Sequence, residues 1–464
     1  MRNPPTLHPI GSVVLAFLGL YLSACGALGS LSGGSLGGLS GGSLGNLSGG
    51  EARIEGRRLD LLQLSDADYI FASGEDRRIT LPPMTRTTRW ERPALGLDHR
   101  RGHEALSANP QLVWRQSLGS GEARATRLTA QPLVADGRIY ALDAQARLSA
   151  RQLRTGTEIW ARDLNANSPE RRGVFGGGLA LSGGLLYFAS GDGRLYLVQA
   201  SNGEVVRSRP LPAPSRAAPL LIENLVLVQT IDNILTAYDA QSLAEVWSFE
   251  GNRSVSSLVG GSTPAWHNGT IYAAFSDGEL VALDPKDGSL AWSQSLAIRG
   301  TTGRGAGSVQ SVRALPVISD EALIASSFGG GIGRFESRNG DLVWEVRAGT
   351  ASTPAVTDRY LFLIASWGEM IALTQDRGAL VWRRQLPDVT NRRGVITESY
   401  YGPVLANRQL IAAGSNGTLI FVDAVSGEIR RQVSLGAAAA AIDPLVVDTT
   451  LLVVTSDGQI NAFR

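Results

Sequence analysis

One cysteine, one lysine and four histidines among 464 residues leave little of the usual catalytic vocabulary. A single thiol, Cys25, excludes an internal disulfide and any zinc site built on several thiolates. Lys286 is the sole lysine, which removes most Schiff-base chemistry. It also removes every Walker phosphate loop, which needs Gly-Lys-Ser/Thr. Basic and acidic residues nearly cancel, 43 against 42, so no electrostatic argument points to a nucleic-acid partner. The apolar stretch from Ile10 to Leu22 falls short of the ~20 residues of a membrane-spanning helix. No Ser/His/Asp set is suggested, because His8 lies in the leader, His99 and His103 in an irregular segment and His267 in a turn.

What is abundant is glycine, with 55 residues, together with 20 prolines and many short Val/Ile/Leu runs. Strands and tight turns fit that composition, and 43% hydrophobic residues suffice for a sizeable core.

The first 24 residues read as a secretory leader: Arg2, then the apolar stretch, then Leu22-Ser23-Ala24-Cys25-Gly26. That exit resembles the bacterial lipobox, which implies that Cys25 becomes the lipidated first residue of the mature chain. Gly26 follows it, not the aspartate associated with inner-membrane retention, so the expected home is the outer membrane, facing the periplasm. Residues 25–50 carry the cysteine and a Gly/Ser/Leu repeat that cannot bury a core and serves as a flexible tether. Residues 51–106 are Arg-rich and irregular, and read as an extended arm that packs in part on the domain C-terminal to it.

Residues 107–464 hold an internal repeat. Tryptophans mark the unit ends at 114, 160, 247, 292, 344 and 382, and Arg207 and Arg431 occupy the same slot in two further units. The marks lie about 45 residues apart on average, the length of a four-stranded propeller blade. A proline opens most units, as at Pro132, Pro219, Pro264, Pro316, Pro354, Pro403 and Pro444. Hairpin dipeptides come next, such as Asp136-Gly137, Asn268-Gly269 and Asp277-Gly278. The last unit lacks an outer strand, whereas Trp114 sits on an outer strand with no blade before it. Joining the two predicts an all-β, eight-bladed propeller closed by Gln111–Ser117.

The unit Ala282-Leu283-Asp284-Pro285-Lys286-Asp287-Gly288-Ser289-Leu290-Ala291-Trp292 resembles the tryptophan-docking repeat of pyrroloquinoline-quinone (PQQ) propellers, in which the indole docks between neighbouring blades. With the lipobox, the tether, Arg127–Pro132 and the Gly176-Gly177-Gly178-Leu179-Ala180 stretch, the chain resembles the BamB family of outer-membrane assembly lipoproteins. That resemblance implies a non-catalytic scaffold without cofactor or metal. Its implied partners are BamA, through its POTRA domains, the other assembly-machinery lipoproteins, and unfolded outer-membrane protein clients. Two other readings stay open: a periplasmic ligand-binding propeller, and a PQQ-dependent dehydrogenase.

The family's BamA-contacting loops correspond to two stretches before opening prolines. The first is Leu258-Val259-Gly260-Gly261-Ser262-Thr263, in which Val259 stands where the family has arginine. The second is Ser311-Val312-Arg313-Ala314-Leu315, which lacks the family's two acids and reverses one slot to Arg313. Leu258, Val259, Gly260, Ser311 and Arg313 are therefore the candidate partner-binding residues. His99 and His103 have the i, i+4 spacing of paired metal ligands, but Gly102 between them and the absence of a helical pattern point to a solvated arm. The glycine run Gly329-Gly330-Gly331-Ile332-Gly333 reads as a widened turn, since no lysine or helix accompanies it.

Overall fold

A computed structural model describes residues 79–464, except 125, 165–175, 253–260, 297–311, 329 and 388–398. Cys25, the leader and the tether lie outside the described residues. The described chain is all-β: eight four-stranded antiparallel sheets form an eight-bladed propeller. Blade 1 shows the pattern, with inner strand Leu133–Ala135, middle strands Arg138–Leu142 and Arg147–Gln152, and outer strand Glu158–Asp163. Blades 2 to 7 span 177–210, 220–250, 265–295, 317–346, 355–385 and 400–434. Blade 8 combines 445–463 with the N-terminal strand Leu112–Ser117.

The turns arise from local sequence. Asp136 and Gly137 have φ of 50° and 70°, and Asn268 and Gly269 have 47° and 78°. Two successive positive φ values define the hairpin turn whose twist suits antiparallel strands. Middle strands are apolar runs and not alternations, as in Leu185–Ser190, because each sheet is covered on both faces by neighbouring blades. The core is accordingly a set of seams between consecutive blades. Phe362 and Met370 of blade 6 meet Ile420 and Val422 of blade 7, for example. Leu452 and Ile460 of blade 8 meet Ile139 and Val134 of blade 1 at the closing seam.

Closure is made by backbone pairing, as the repeat count predicts. Trp114 pairs with Ala462 and Ser117 with Gln459, while Gln111 and Arg464 exchange two N–H···O bonds of 2.7 and 2.9 Å. Every outer strand carries a bulge one residue before its marker. Ala150 pairs with Trp160 but Arg151 with Glu158, which leaves Ile159 over, and the same skip occurs at Val246 and Val343. The extra residue faces solvent: Ile159, Val246 and Val343 are all exposed. A bulge re-aims the next side chain and breaks the regular edge ladder, so the indole turns inward and the rim is blunted.

Candidate functional site

The two faces of the ring differ in kind. Leu153 N–H donates to Gly137 O, so the first and third turns of a blade share one face. Ala144 N–H donates to Ser120 O, which puts the second turn with the blade-to-blade connections on the other.

The first face is closed by the N-terminal segment. Thr85 and His103–Ala105 pair with each other, through Thr85 N–H to His103 O at 2.8 Å and Ala105 N–H to Thr85 O at 2.7 Å. The loop between them tours the inner strands in ring order. Thr87 O accepts from Asp448 of blade 8, Trp90 exchanges two bonds with Val134 of blade 1, and Glu91 O accepts from Leu181 of blade 2. Leu97 packs against Leu220 and Ile222 of blade 3, and its carbonyl accepts from Trp266 of blade 4. Asp98 O accepts from Ile318 of blade 5, Arg100 pairs with Asp358 of blade 6, and Glu104 bonds Leu405 and Asn407 of blade 7. Trp90 and Ala94 are wholly buried. From Ile79 onward, the arm is thus a plug set into the channel.

This corrects the expectation of solvated histidines. His99 and His103 are both buried. His99 Nδ1 lies 2.9 Å from Pro316 O. His103 Nδ1 lies 2.7 Å from Pro82 O, and its Nε2 accepts from Arg408 N–H at 2.8 Å. Backbone groups occupy both His103 nitrogens, so the i, i+4 spacing serves anchoring. Among the described residues, no group of three or more His, Cys, Asp or Glu is arranged to hold a metal ion.

Between the plug and the residues that lead into the inner strands lies an axial cup of about 80 Å³. Pro93 and Arg101 of the plug line it, with Gln131, Arg216, Arg313 and Asp443 from the blades. The Arg101 side chain is only 3% exposed, and its Nη2 donates to Asp443 Oδ2 at 3.1 Å. Asp443 Oδ1 accepts from Ser352 Oγ at 2.8 Å and from Gly402 N–H at 2.9 Å. Arg101 Nε and Nη1 are buried without a hydrogen-bond partner. Burial pulls the Arg216 guanidinium below its ordinary pKa. Arg313 lies over the Tyr401 ring, 5.7 Å from its centroid, and burial raises that phenol while the Arg313 charge opposes the rise.

Of the residues nominated from sequence, Arg313 is at this cup, while Leu258, Val259, Gly260 and Ser311 lie outside the described residues, as does Cys25. The described ends of the two nominated stretches do converge. Gly261, Thr263, Arg313 and Leu315 all line the cup, and Ser262 Oγ donates to Ala314 O at 3.1 Å. Arg101, Arg216, Tyr401 and Asp443 were not nominated. A signal for two of them exists in the repeat: the residues one and three places before an opening proline face the axis. They include Thr129 and Gln131, Arg216 and Ala218, Gly261 and Thr263, Arg313 and Leu315, Ala351 and Thr353, and Asp443. A larger cavity of about 640 Å³ lies between blades 5 and 6 on the plugged face. Its lining mixes Asp320, Glu321, Asp358 and Asp376 with Arg334, Arg359 and Arg377, and neither nominated stretch reaches it.

The sequence model of the family described as outer membrane protein assembly factor BamB matches residues 94–174, 144–384 and 369–464. The chain belongs to the BamB family. It is 24% identical to the BamB of Yersinia pestis over 360 residues, covering 76% of this chain and 89% of that relative. It is likewise 24% identical to the BamB of Escherichia coli K12 over 354 residues, 76% and 88% of the two chains. Among solved structures, BamB from Moraxella catarrhalis superposes with a TM-score of 0.64 at 17% identity, over 77% of this chain and all of that one. Quinohemoprotein alcohol dehydrogenase from Comamonas testosteroni shares the fold at a TM-score of 0.63 and 15% identity, over 82% of this chain and 81% of that one.

Proposed function

We propose that this BamB-family chain is a non-catalytic scaffold lipoprotein of the outer-membrane β-barrel assembly machinery. It is held through Cys25 in the outer membrane, facing the periplasm. It docks the POTRA domains of BamA with its cup-bearing face and assists delivery and insertion of outer-membrane proteins. The observation that carries the docking face is the junction of the two nominated stretches through Ser262 and Ala314, beside Arg313. These residues lead into the inner strands Ala265–His267 and Val317–Ser319, and recognition on such scaffolds concentrates in the loops. The bulged outer strands favour loop contact over strand addition at the rim, because an interrupted ladder is a poor template for another chain.

A quinone site on the ring axis is disfavoured by the cup itself. Sites for drug-sized ligands occupy about 300–1,000 Å³, well above the 80 Å³ available here. The lining does not fit a three-ring quinone, and the one carboxylate there is held by Arg101, Ser352 and Gly402.

Calorimetric titration of the full chain, in detergent, with purified BamA POTRA domains tests the docking reading. Micromolar or tighter binding, weakened at least tenfold by Arg313→Glu, is the expected result. No heat of binding from a folded protein would overturn it.

A further inference from the structure

We propose that the cleft of about 640 Å³ between blades 5 and 6 binds a short peptide by its two charged ends. The space follows from two small residues. At the plugged end of this seam Ser319 of the inner strand lies opposite Ala322 of the next strand, and both line the cleft. In the seven other blades the residue in the place of Ala322 is larger, from Thr270 and Thr450 to Arg138 and Tyr360.

A second departure places charge there. Opposite the marker tryptophan stands alanine in five blades, as Ala150, Ala237, Ala282, Ala372 and Ala462, but Arg334 stands opposite Trp344. Directly opposed residues share a face of the sheet. Arg334 is opposed to Ile324, which shares a core with Leu361 and Leu363 of blade 6, so its side chain enters the same seam. That side chain is 21% exposed and lines the cleft. Its carboxylate neighbour, Glu336 Oε1, lies 3.6 Å from Nη1, too far for a hydrogen bond. A guanidinium is a planar fork of donors that matches the paired oxygens of a carboxylate. Arg359, 5.8 Å from the Tyr360 ring centroid, adds a second cation to the lining.

The opposite charge comes from the first turn of blade 5. Asp320 and Glu321 are exposed and line the cleft, and no cation among the described residues pairs with either. The other two lining acids are engaged, Asp358 by Arg100 of the plug and Asp376 by Arg377 at 3.3 Å. A plain anion would meet repulsion from the acids of the turn, and a plain cation would meet it from Arg334. A molecule with an ammonium at one end and a carboxylate at the other satisfies both. The volume falls inside the roughly 300–1,000 Å³ of sites for drug-sized ligands, which accommodates a few residues.

The test is calorimetric titration of the full chain, in detergent and at constant ionic strength, with trialanine and with its N-acetylated and C-amidated forms. Saturable one-to-one binding of trialanine is expected, weakened at least tenfold by either cap. Arg334→Met keeps an apolar stem and loses the charge. It should weaken trialanine at least tenfold yet melt no lower than the parent, whereas a residue that merely held the fold would lower the melting temperature. Asp320→Asn combined with Glu321→Gln should weaken trialanine to the level of its N-acetylated form. No saturable binding of trialanine, equal binding of the capped peptides, or binding unaltered by Arg334→Met would overturn the proposal. None of these results bears on the POTRA titration, because neither nominated stretch reaches this cleft.

Discussion

The indole of Trp247 in blade 3 lies over Gly288 of blade 4: a Cβ built on that glycine would stand 2.5 Å from Trp247 Cε3. The indole N–H donates to Pro285 O at 2.8 Å in the same turn. Each marker tryptophan repeats this arrangement one blade onward, Trp114 over Gly156, Trp160 over Gly203, Trp292 over Gly340, Trp344 over Gly378 and Trp382 over Gly427. Where the slot holds Arg207, the next blade has Leu243 in place of the glycine, and where it holds Arg431 the next blade has Pro110. The glycine is thus required by the ring of the preceding blade as well as by its own positive φ.

Gly288→Ala should therefore destabilise the protein by about 2–4 kcal/mol, from overpacking and the left-handed backbone together. Gly269→Ala is the control, because its φ is 78° yet nothing lies within 4 Å of the added carbon. It should cost only the backbone penalty, about 1–2 kcal/mol. Denaturant midpoints of the two variants against the parent measure the difference.

Trp90 should anchor the plug. It is wholly buried in the seam between blades 8 and 1, and its Nε1 donates to Gln131 Oε1 at 3.3 Å. Trp90→Ala should cost about 3–5 kcal/mol. Limited trypsin digestion should then cut after Arg100 or Arg101 in the variant while the parent resists there. Equal resistance would mean that the backbone bonds hold the plug unaided.

His99 should make stability fall in mild acid. Burial lowers its pKa from 6.5 to about 4, opposed by the bond to Pro316 O and reinforced by the charges of Arg101 and Arg92. The unfolded chain takes up this proton first, so the contribution is whole above pH 6.5 and is lost as pH falls towards 4. The loss amounts to about 3 kcal/mol. His99→Gln has no proton to gain, and its stability should fall less over that interval in a series of denaturation curves.

The propeller was legible because its determinants are local and repeated: an opening proline, turn dipeptides, and one large ring per blade. Even the two blades marked by Arg207 and Arg431 kept the register through Gly203 and Gly427. The plug was not legible. Its backbone has neither strand nor helix period, and its partners lie up to some 360 residues away, as in the Arg86–Asp448 ion pair. His99 and His103 consequently read as solvent-exposed, and Arg101 carried no sign of its meeting with Asp443. The cup was half legible. Arg313 stood out through its family slot, whereas Arg216 shares its position three residues before a proline and needed only that periodicity to be applied to every blade.

The loop from Thr85 to Ala105 and the strand Leu112–Ser117 leave the ribosome before any blade exists to receive them. Val134 of blade 1 emerges soon after, but Leu405, Asp448 and Phe463 come some 300 residues or more later. Contacts of such separation form slowly, because a long chain must be ordered before they stabilise it. The oldest part of the polypeptide is thus the last to be satisfied. Until the final strand arrives, the seven preceding blades form an open arc with two unprotected ends. A chain truncated before Gln459 should stall in that arc and depend on chaperones, whatever the intrinsic stability of its individual sheets.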